Sequence, residues 1–219
     1  MKTISLDLQE EIIEELAFDP RIASEDVAVT AAGGVVTLRG TVPSLAQKWD
    51  VEDDVKRIRG VRGIVNEIVV DLPQMYARTD TTIAQAIERR FESNSIIPSD
   101  VQFVVADGTV TLTGKVAWHF QAQEAAAEAR RVTGVRDVFN VISVEPDVVA
   151  TQDDIKRKIH SQFARAADID ANGVDVAVDG ATVKLTGTVR TWLEHDKATQ
   201  AAWSLPGVKH VDNRIDIVP

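Results

Sequence analysis

Apolar residues recur at every fourth position in three otherwise polar stretches of the chain. The three sets are Leu8, Ile12 and Leu16; Ile83, Ile87 and Phe91; and Ile155, Ile159 and Phe163. Because an α-helix turns once in about 3.6 residues, this spacing predicts one amphipathic helix in each stretch. Thr79 with Asp80, and Thr151, supply side chains that can cap the second and third of these helices.

After each predicted helix the apolar period shortens to two, which is typical of a strand. The alternating residues are Val27 and Val29; Val101, Phe103 and Val105; and Val174, Val176 and Val178. A turn-forming pair follows each strand, at Gly33-Gly34, Asp107-Gly108 and Asp179-Gly180, and predicts a hairpin. Next come a second strand with the pattern Val-x-Leu, an alanine-rich helix, and a third strand over 64–70, 138–144 and 211–217.

Glycine and asparagine positions recur with the same spacing in the three copies. The strand glycines are Gly40, Gly114 and Gly187, and a second glycine follows twenty residues later, at Gly60, Gly134 and Gly207. An asparagine lies six residues further on, at Asn66, Asn140 and Asn213. We expect structural roles: the strand glycines let a helix approach closely, and the asparagines bond to backbone beside the third strand.

These repeats predict an α+β protein of three tandem α-β-β-α-β units, at 1–73, 78–146 and 150–219. The final β-α-β step of each unit should be a right-handed crossover, which makes the third strand parallel to the second. Each unit is then a three-stranded mixed sheet with two helices on one face. The other face of each sheet is left bare.

The pattern Val-x-Leu-x-Gly-x-Val, an alanine-rich helix, and Gly-Val followed by an asparagine resembles the BON domain, named for bacterial osmotically inducible and nodulation proteins. Unit three resembles it most closely, over VKLTGTVRTWLEHDKATQAAWSLPGVKHVDNRIDIV. The resemblance implies three tandem BON domains without catalytic activity. It also implies a binding module associated with the bacterial envelope and stress, for which phospholipid or membrane association is proposed.

Composition narrows the classes of partner. The net charge is −10, which argues against nucleic acid because phosphate binding requires an excess of Lys and Arg. The chain has no Cys, so disulfides and thiolate sites are excluded. The start, MKTISLDLQEEIIEELAFDP, is acidic and has no apolar segment typical of a signal peptide, so we expect a soluble, cytoplasmic protein.

One stretch, DIDANGVDVAVD over 168–179, matches part of a calcium-binding loop through Asp168, Asp170 and Asn172. The sibling units carry no ligand set at these positions, and the valines that follow alternate as a strand. We therefore expect a polar connection and no metal site. The four histidines form no ligand pair at helical spacing, and no nucleophile–base set stands out, so neither an enzyme nor a cofactor is predicted.

Three tryptophans occupy positions that are polar in the sibling units: Trp49, Trp118 and Trp203. We expect them to pack between units or chains, or to reach a ligand or lipid, since they cannot belong to a common core. The bare sheet of unit two carries Phe139 and Val141, whereas unit three carries Asp212, Arg214 and Asp216 there. We therefore expect the sheet of unit two to pack against unit one or a second copy of the chain, and the sheet of unit three to face solvent.

Two functions fit these observations. The first is a non-enzymatic module that binds a protein partner or a phospholipid surface during osmotic or envelope stress. The second is a sensor of a small ligand or a monovalent cation such as potassium, because backbone carbonyls can coordinate such an ion without a side-chain motif.

Overall fold

The structure, a computed structural model, describes residues 2–72, 78–146, 151–165 and 173–218. Unit one contains α1 (Lys2–Phe18), β1 (Val27–Ala32), β2 (Val35–Val42), α2 (Leu45–Val55) and β3 (Gly63–Val70). Unit two contains α3 (Asp80–Ser93), β4 (Gln102–Ala106), β5 (Thr109–Thr113), β6 (Lys115–Val116), α4 (His119–Arg130), β7 (Asp137–Asn140) and β8 (Ser143–Val144). Unit three contains α5 (Gln152–Arg165), β9 (Val174–Asp179), β10 (Thr182–Val189), α6 (Trp192–Trp203) and β11 (His210–Ile217).

Each unit has the predicted three-stranded mixed sheet. In unit one, β2 lies in the centre, antiparallel to β1 and parallel to β3, and β10 holds the same place in unit three. In unit two the central and third strands are each divided in two, but the parallel hydrogen bonds continue across the break. The Val141 amide donates to the Leu112 carbonyl at 3.0 Å, and the Ser143 amide to the Gly114 carbonyl at 3.0 Å. The predicted α+β fold and strand directions are confirmed.

The helical stripes supply the cores. Leu8, Ile12 and Leu16 are buried against the sheet of unit one, while the glutamates between them face solvent. Ile83 and Ile87 do the same in unit two, and Ile155 and Ile159 in unit three. Caps form where expected, since the Thr79 hydroxyl accepts from the Thr82 amide and the Thr151 hydroxyl from the Asp154 amide. The side chain of Phe163 lies outside the described residues.

The hairpin turns follow the predicted chemistry in two of three units. Gly33 and Gly34 have φ of 59° and 83°, and Asp107 and Gly108 have φ of 52° and 76°. Two successive left-handed residues form the turn that matches the twist of a two-residue hairpin. In unit three the expected turn is wrong by one residue, because Asp179 still pairs with Thr182 as the last residue of β9. The connecting pair there is Gly180-Ala181.

The strand glycines accommodate a strand and not a helix, which corrects the sequence-based expectation. Gly40, Gly114 and Gly187 have φ of 135°, 125° and 119°. A Cβ on any of them would overlap a carbonyl oxygen one or two residues before the first strand, namely that of Asp26, Asp100 or Gly173. The glycine lets the first and second strands stay close at the end of their pairing.

The repeated asparagines tie the third strand to the second helix. The side-chain oxygen of Asn213 accepts from the Ile215 backbone amide at 2.9 Å, and its side-chain NH2 group donates to the Thr199 hydroxyl at 2.6 Å. Asn140 bonds in the same way to the Ile142 amide and the Ala122 carbonyl. Asn66 uses the Glu52 carboxylate as its helix-side partner, at 3.0 Å. The asparagine therefore fixes the second helix across the sheet in every unit.

Substitution of a strand glycine should be more harmful than substitution of a turn glycine. We expect Gly40→Ala to lower the free energy of unfolding by roughly 2 kcal/mol or more, because the new Cβ forces β1 away from β2. Gly33→Ala is the matched control: Gly33 also has positive φ but no atom within 4 Å of a built Cβ, so it should cost about 1 kcal/mol. Urea unfolding of both variants measures the difference, and equal losses would contradict the proposed steric role.

Candidate binding surfaces

The three units meet through their second helices, α2, α4 and α6. At the first joint, Leu45 at the start of α2 is buried in the core of unit two, and Trp49 packs against the same core. The Arg130 guanidinium, at the end of α4, lies 4.0 Å from the centre of the Trp49 ring. The start of α2 is therefore fastened to the end of α4.

The second joint repeats this arrangement between units two and three. His119, at the start of α4, stacks on Trp203 at the end of α6. The ring centres are 4.3 Å apart and the planes differ by 11°. Burial lowers the pKa of His119, which favours the neutral form of the stacked ring. His119 is thus part of the joint between units two and three.

The third joint connects unit three back to unit one. Trp192, at the start of α6, packs against the core of unit one. The Leu193 amide donates to the Lys56 carbonyl at 3.0 Å, just beyond the end of α2. The Lys56 ammonium lies 3.6 Å from the Asp196 carboxylate. This joint closes the chain of contacts into a ring.

The ring has an approximate threefold pattern in which equivalent positions play equivalent parts. Lys56, Arg130 and Trp203 occupy the same place at the end of their helices, and each contacts the early part of another second helix. In each joint a helix start, which carries partial positive charge, meets a helix end, which carries partial negative charge. We call this arrangement the helix ring.

The sequence marked two residues of the helix ring and missed others. Trp49 and Trp203 lie in inter-unit joints, whereas Trp118 lines a cleft beside the second joint. Leu45 and Trp192 were missed because large residues at the start of a helix are expected in the core of their own unit. Leu45 and Trp192 align with His119, which is polar. This alignment indicates that the position does not belong to a core common to the three units.

The cleft beside the second joint is wide. Its volume is about 1050 Å³, and its walls include Trp118, His119 and Phe120 from α4 and its cap, and Trp203 from α6. A separate, smaller cleft of about 330 Å³ lies at the first joint, beside Ser44, Leu45 and Ala46. A cleft of this size with aromatic walls has the character of a small-molecule site.

The open sheets form a second kind of surface. In unit two, Val104, Phe139 and Val141 are 65%, 55% and 63% exposed. Val104 and Phe139 flank Thr111 across the sheet, and these side chains are uncharged. We call this patch, with Ala106, the unit-two face. The expectation that unit one covers it is wrong, because the units associate through the helix ring on the opposite side of their sheets. Cover by another chain stays a prediction.

The other two sheets differ in charge. In unit three, Arg214 and Asp212 form an ion pair at 2.9 Å on the open face. In unit one, Val65 and Val69 are exposed, but Glu67 lies between them on β3 and forms an ion pair with Arg39 of β2. The unit-two face is therefore the one whose centre combines exposed apolar side chains with no charge.

A carboxylate pair in unit one has perturbed acidity. Asp54, on α2, is 2% exposed, and burial together with the nearby Asp19 carboxylate raises its pKa to about 6. The Arg21 guanidinium holds the pKa of Asp19 well below its usual range. Neither carboxylate lines either of the two clefts described above. The pair therefore serves as a structural contact between the end of α1 and α2, although perturbed carboxylates also occur in active sites.

The raised pKa of Asp54 predicts that the free energy of unfolding depends on pH. The folded-state pKa of Asp54 is above its unfolded value of about 3.9, so its stabilising contribution is complete below pH 4 and is lost as pH rises through about 6. We expect Asp54→Asn to reduce this slope and to raise stability at pH 7 by roughly 2 kcal/mol. Denaturant unfolding between pH 4 and 8 tests it, with exposed Glu15→Gln as the control. A slope in Asp54→Asn as steep as in the unmodified protein would contradict the assignment.

The residues named for metal binding, Asp168, Asp170 and Asn172, lie outside the described residues. Within the described ranges, no group of three or more His, Asp or Glu side chains is arranged to hold a metal ion. No helix in that part of the protein combines the length and apolarity needed to cross a membrane.

Comparison with known proteins gives one family match that spans almost the whole chain. The model of the BON domain family matches residues 6–71, 79–146 and 151–219. Osmotically-inducible protein Y of Escherichia coli K12 is 34% identical over 128 residues, which are 54% of this chain and 62% of that protein. The match thus spans less than two thirds of that relative.

A second relative is the 21 kDa hemolysin of Actinobacillus pleuropneumoniae. It is 30% identical over 142 residues, which cover 62% of this chain and 72% of the relative. Among solved structures, CdsD, a structural protein of the type III secretion system of Chlamydia trachomatis, matches 97% of this chain and 93% of its own at 16% identity. The TM-score of 0.27 is too low for any argument from that likeness.

Proposed function

Because this chain belongs to the BON domain family, we propose that it is a non-enzymatic binding protein linked to osmotic or envelope stress. The unit-two face binds a protein partner. The observation that carries this proposal is the exposure of Val104, Phe139 and Val141 on one uncharged sheet face. Large apolar side chains gathered on an open sheet are typical of an interaction surface.

The helix ring supports this role by orienting the units. Because the second helices lie at the joints, the open face of each sheet points away from the ring. Unit two thus presents its apolar face outward on a framework held from behind by units one and three. A face held in this way loses little conformational entropy when a partner binds.

Charge favours a protein over an anionic membrane. The chain has a net charge of −10, and Lys115, which lies just beyond the unit-two face in the same sheet, is ion-paired with Glu145 at 2.9 Å and so attracts anionic lipid little. A protein partner with an apolar, uncharged patch can bury Phe139 and Val141 without desolvating any charge on this face. Each such side chain contributes roughly 1.5–3 kcal/mol when fully buried.

Site-specific photo-crosslinking tests the proposal. We expect a photoreactive phenylalanine analogue at position 139 to crosslink to a discrete protein in osmotically stressed host cells. The same analogue at position 212, on the charged sheet of unit three, is the matched control and should not crosslink to that protein. Phe139→Asp should abolish recovery of the protein and leave the melting temperature within about 2 °C, because the side chain is exposed.

Two results would contradict the proposal. The first is a crosslinking pattern at position 139 that matches the pattern at position 212. The second is flotation of the purified protein with phosphatidylglycerol vesicles that depends on Phe139, since this would identify lipid and not protein as the ligand of the face.

A further inference from the structure

The start of α4 breaks a rule that the other two second helices obey. Ser44 caps α2 by accepting from the Gln47 amide, and Thr191 caps α6 by accepting from the Glu194 amide. The equivalent position in unit two is Trp118, whose indole has no oxygen to accept such a bond. Loss of a Ser or Thr cap costs about 1 kcal/mol. Departures from local rules of this kind are expected at functional sites.

Packing does not explain the large side chains at this position. The first joint has Ser44, Leu45 and Ala46 beside a space of about 330 Å³. The second joint has Trp118, His119 and Phe120 at the equivalent positions, yet its cleft is about 1050 Å³. The larger cleft also extends to Asp53, Arg130 and Asp196, so the rings of Trp118 and Phe120 line one wall of it and do not fill it. Phe120 remains 54% exposed.

The aromatic wall stands beside unbalanced negative charge. The ring centres of Trp118 and Phe120 are 6.2 Å apart, and Glu124 lies one helical turn after Phe120 on the same face of α4. The Glu124 carboxylate accepts a hydrogen bond from the neutral Asn94 amide at 2.9 Å. Within the described part of the chain it forms no ion pair.

The other charged side chains of the cleft contact groups of opposite charge or an aromatic ring. Asp53 and Asp196 both approach the Lys56 ammonium, at 3.4 Å and 3.6 Å. The Arg130 guanidinium is placed over the Trp49 ring. Three carboxylates and one guanidinium line the cleft: Asp53, Glu124, Asp196 and Arg130. The adjacent Lys56 ammonium neutralises one further negative charge, so the net charge of the cleft is negative.

We propose that the cleft beside the second joint binds a small organic cation with a methylated or quaternary ammonium group, held by the rings of Trp118 and Phe120 beside the Glu124 carboxylate. Aromatic faces attract such cations through their quadrupoles, and the attraction increases where water is excluded. The carboxylate supplies the countercharge that a purely apolar cavity lacks. This inference concerns a different surface from the unit-two face and does not depend on the protein partner proposed for it.

Calorimetric titration of the full chain with choline chloride tests the proposal. We expect saturable binding in the millimolar range or tighter. The neutral isostere 3,3-dimethylbutan-1-ol, which has the same shape without the charge, should bind at least about tenfold more weakly, because it keeps the apolar contacts and loses the cation–aromatic and carboxylate attraction.

Variants separate binding from folding. Trp118→Ser should weaken choline binding at least about tenfold without lowering the melting temperature, since Ser restores the cap seen at Ser44. Glu124→Gln should weaken binding severalfold and keep the hydrogen bond from Asn94. Phe139→Ser removes from the unit-two face an aromatic ring that is as exposed as Phe120, and it should leave choline binding unchanged.

Three outcomes would overturn the proposal. One is the absence of saturable choline binding at millimolar concentration. Another is equal affinity for choline and its neutral isostere, which would mean that the cleft selects for shape alone. The third is unchanged choline binding in folded Trp118→Ser, which would place the binding site elsewhere.

Discussion

The head-to-tail contact between second helices is the constraint on which the rest of the molecule depends. Each joint places the start of one second helix against the end of another, and the third joint returns to unit one through Trp192 and Lys56. Because the contact is repeated with the same polarity, three small sheets become one body. The ring also decides which surfaces are covered, since it uses the helix side of every unit and leaves every sheet face outward.

The individual units could be predicted from sequence because their determinants are local. Leu8, Ile12 and Leu16 form a helical stripe wherever they occur, and Gly33-Gly34 closes a hairpin by its backbone freedom alone. The turn of unit three differs from its prediction by one residue. The sequence predicts a turn at Asp179-Gly180, whereas Asp179 still pairs with Thr182 and the turn is Gly180-Ala181. The positions of the strand glycines are predictable, but the atom that they accommodate is not, because the pairing of β1 with β2 brings Asp26 to Gly40.

The joints could not be predicted to the same depth because each uses a different chemistry at equivalent positions. Arg130 lies over an indole, Trp203 stacks on an imidazole, and Lys56 pairs with a carboxylate. A comparison of the repeats shows that these positions vary. It does not show that each of them contacts the early part of another second helix. The tryptophans drew attention to the joints because they replaced polar residues, whereas Leu45 and Trp192 were hidden by their resemblance to core residues. The cleft beside Trp118 depends on how α4 packs against α6 and α2, which no single repeat encodes.

Duplication of one unit explains how a chain with a uniform fold presents unlike surfaces. The core positions repeat, and the positions outside the core have diverged into a charged sheet around Arg214, an uncharged sheet around Phe139, and an aromatic cleft at Trp118. Differential scanning calorimetry of the full chain tests the helix ring most directly. If the ring holds, the chain should unfold in a single transition with equal calorimetric and van't Hoff enthalpies. Separate transitions for individual units would contradict it.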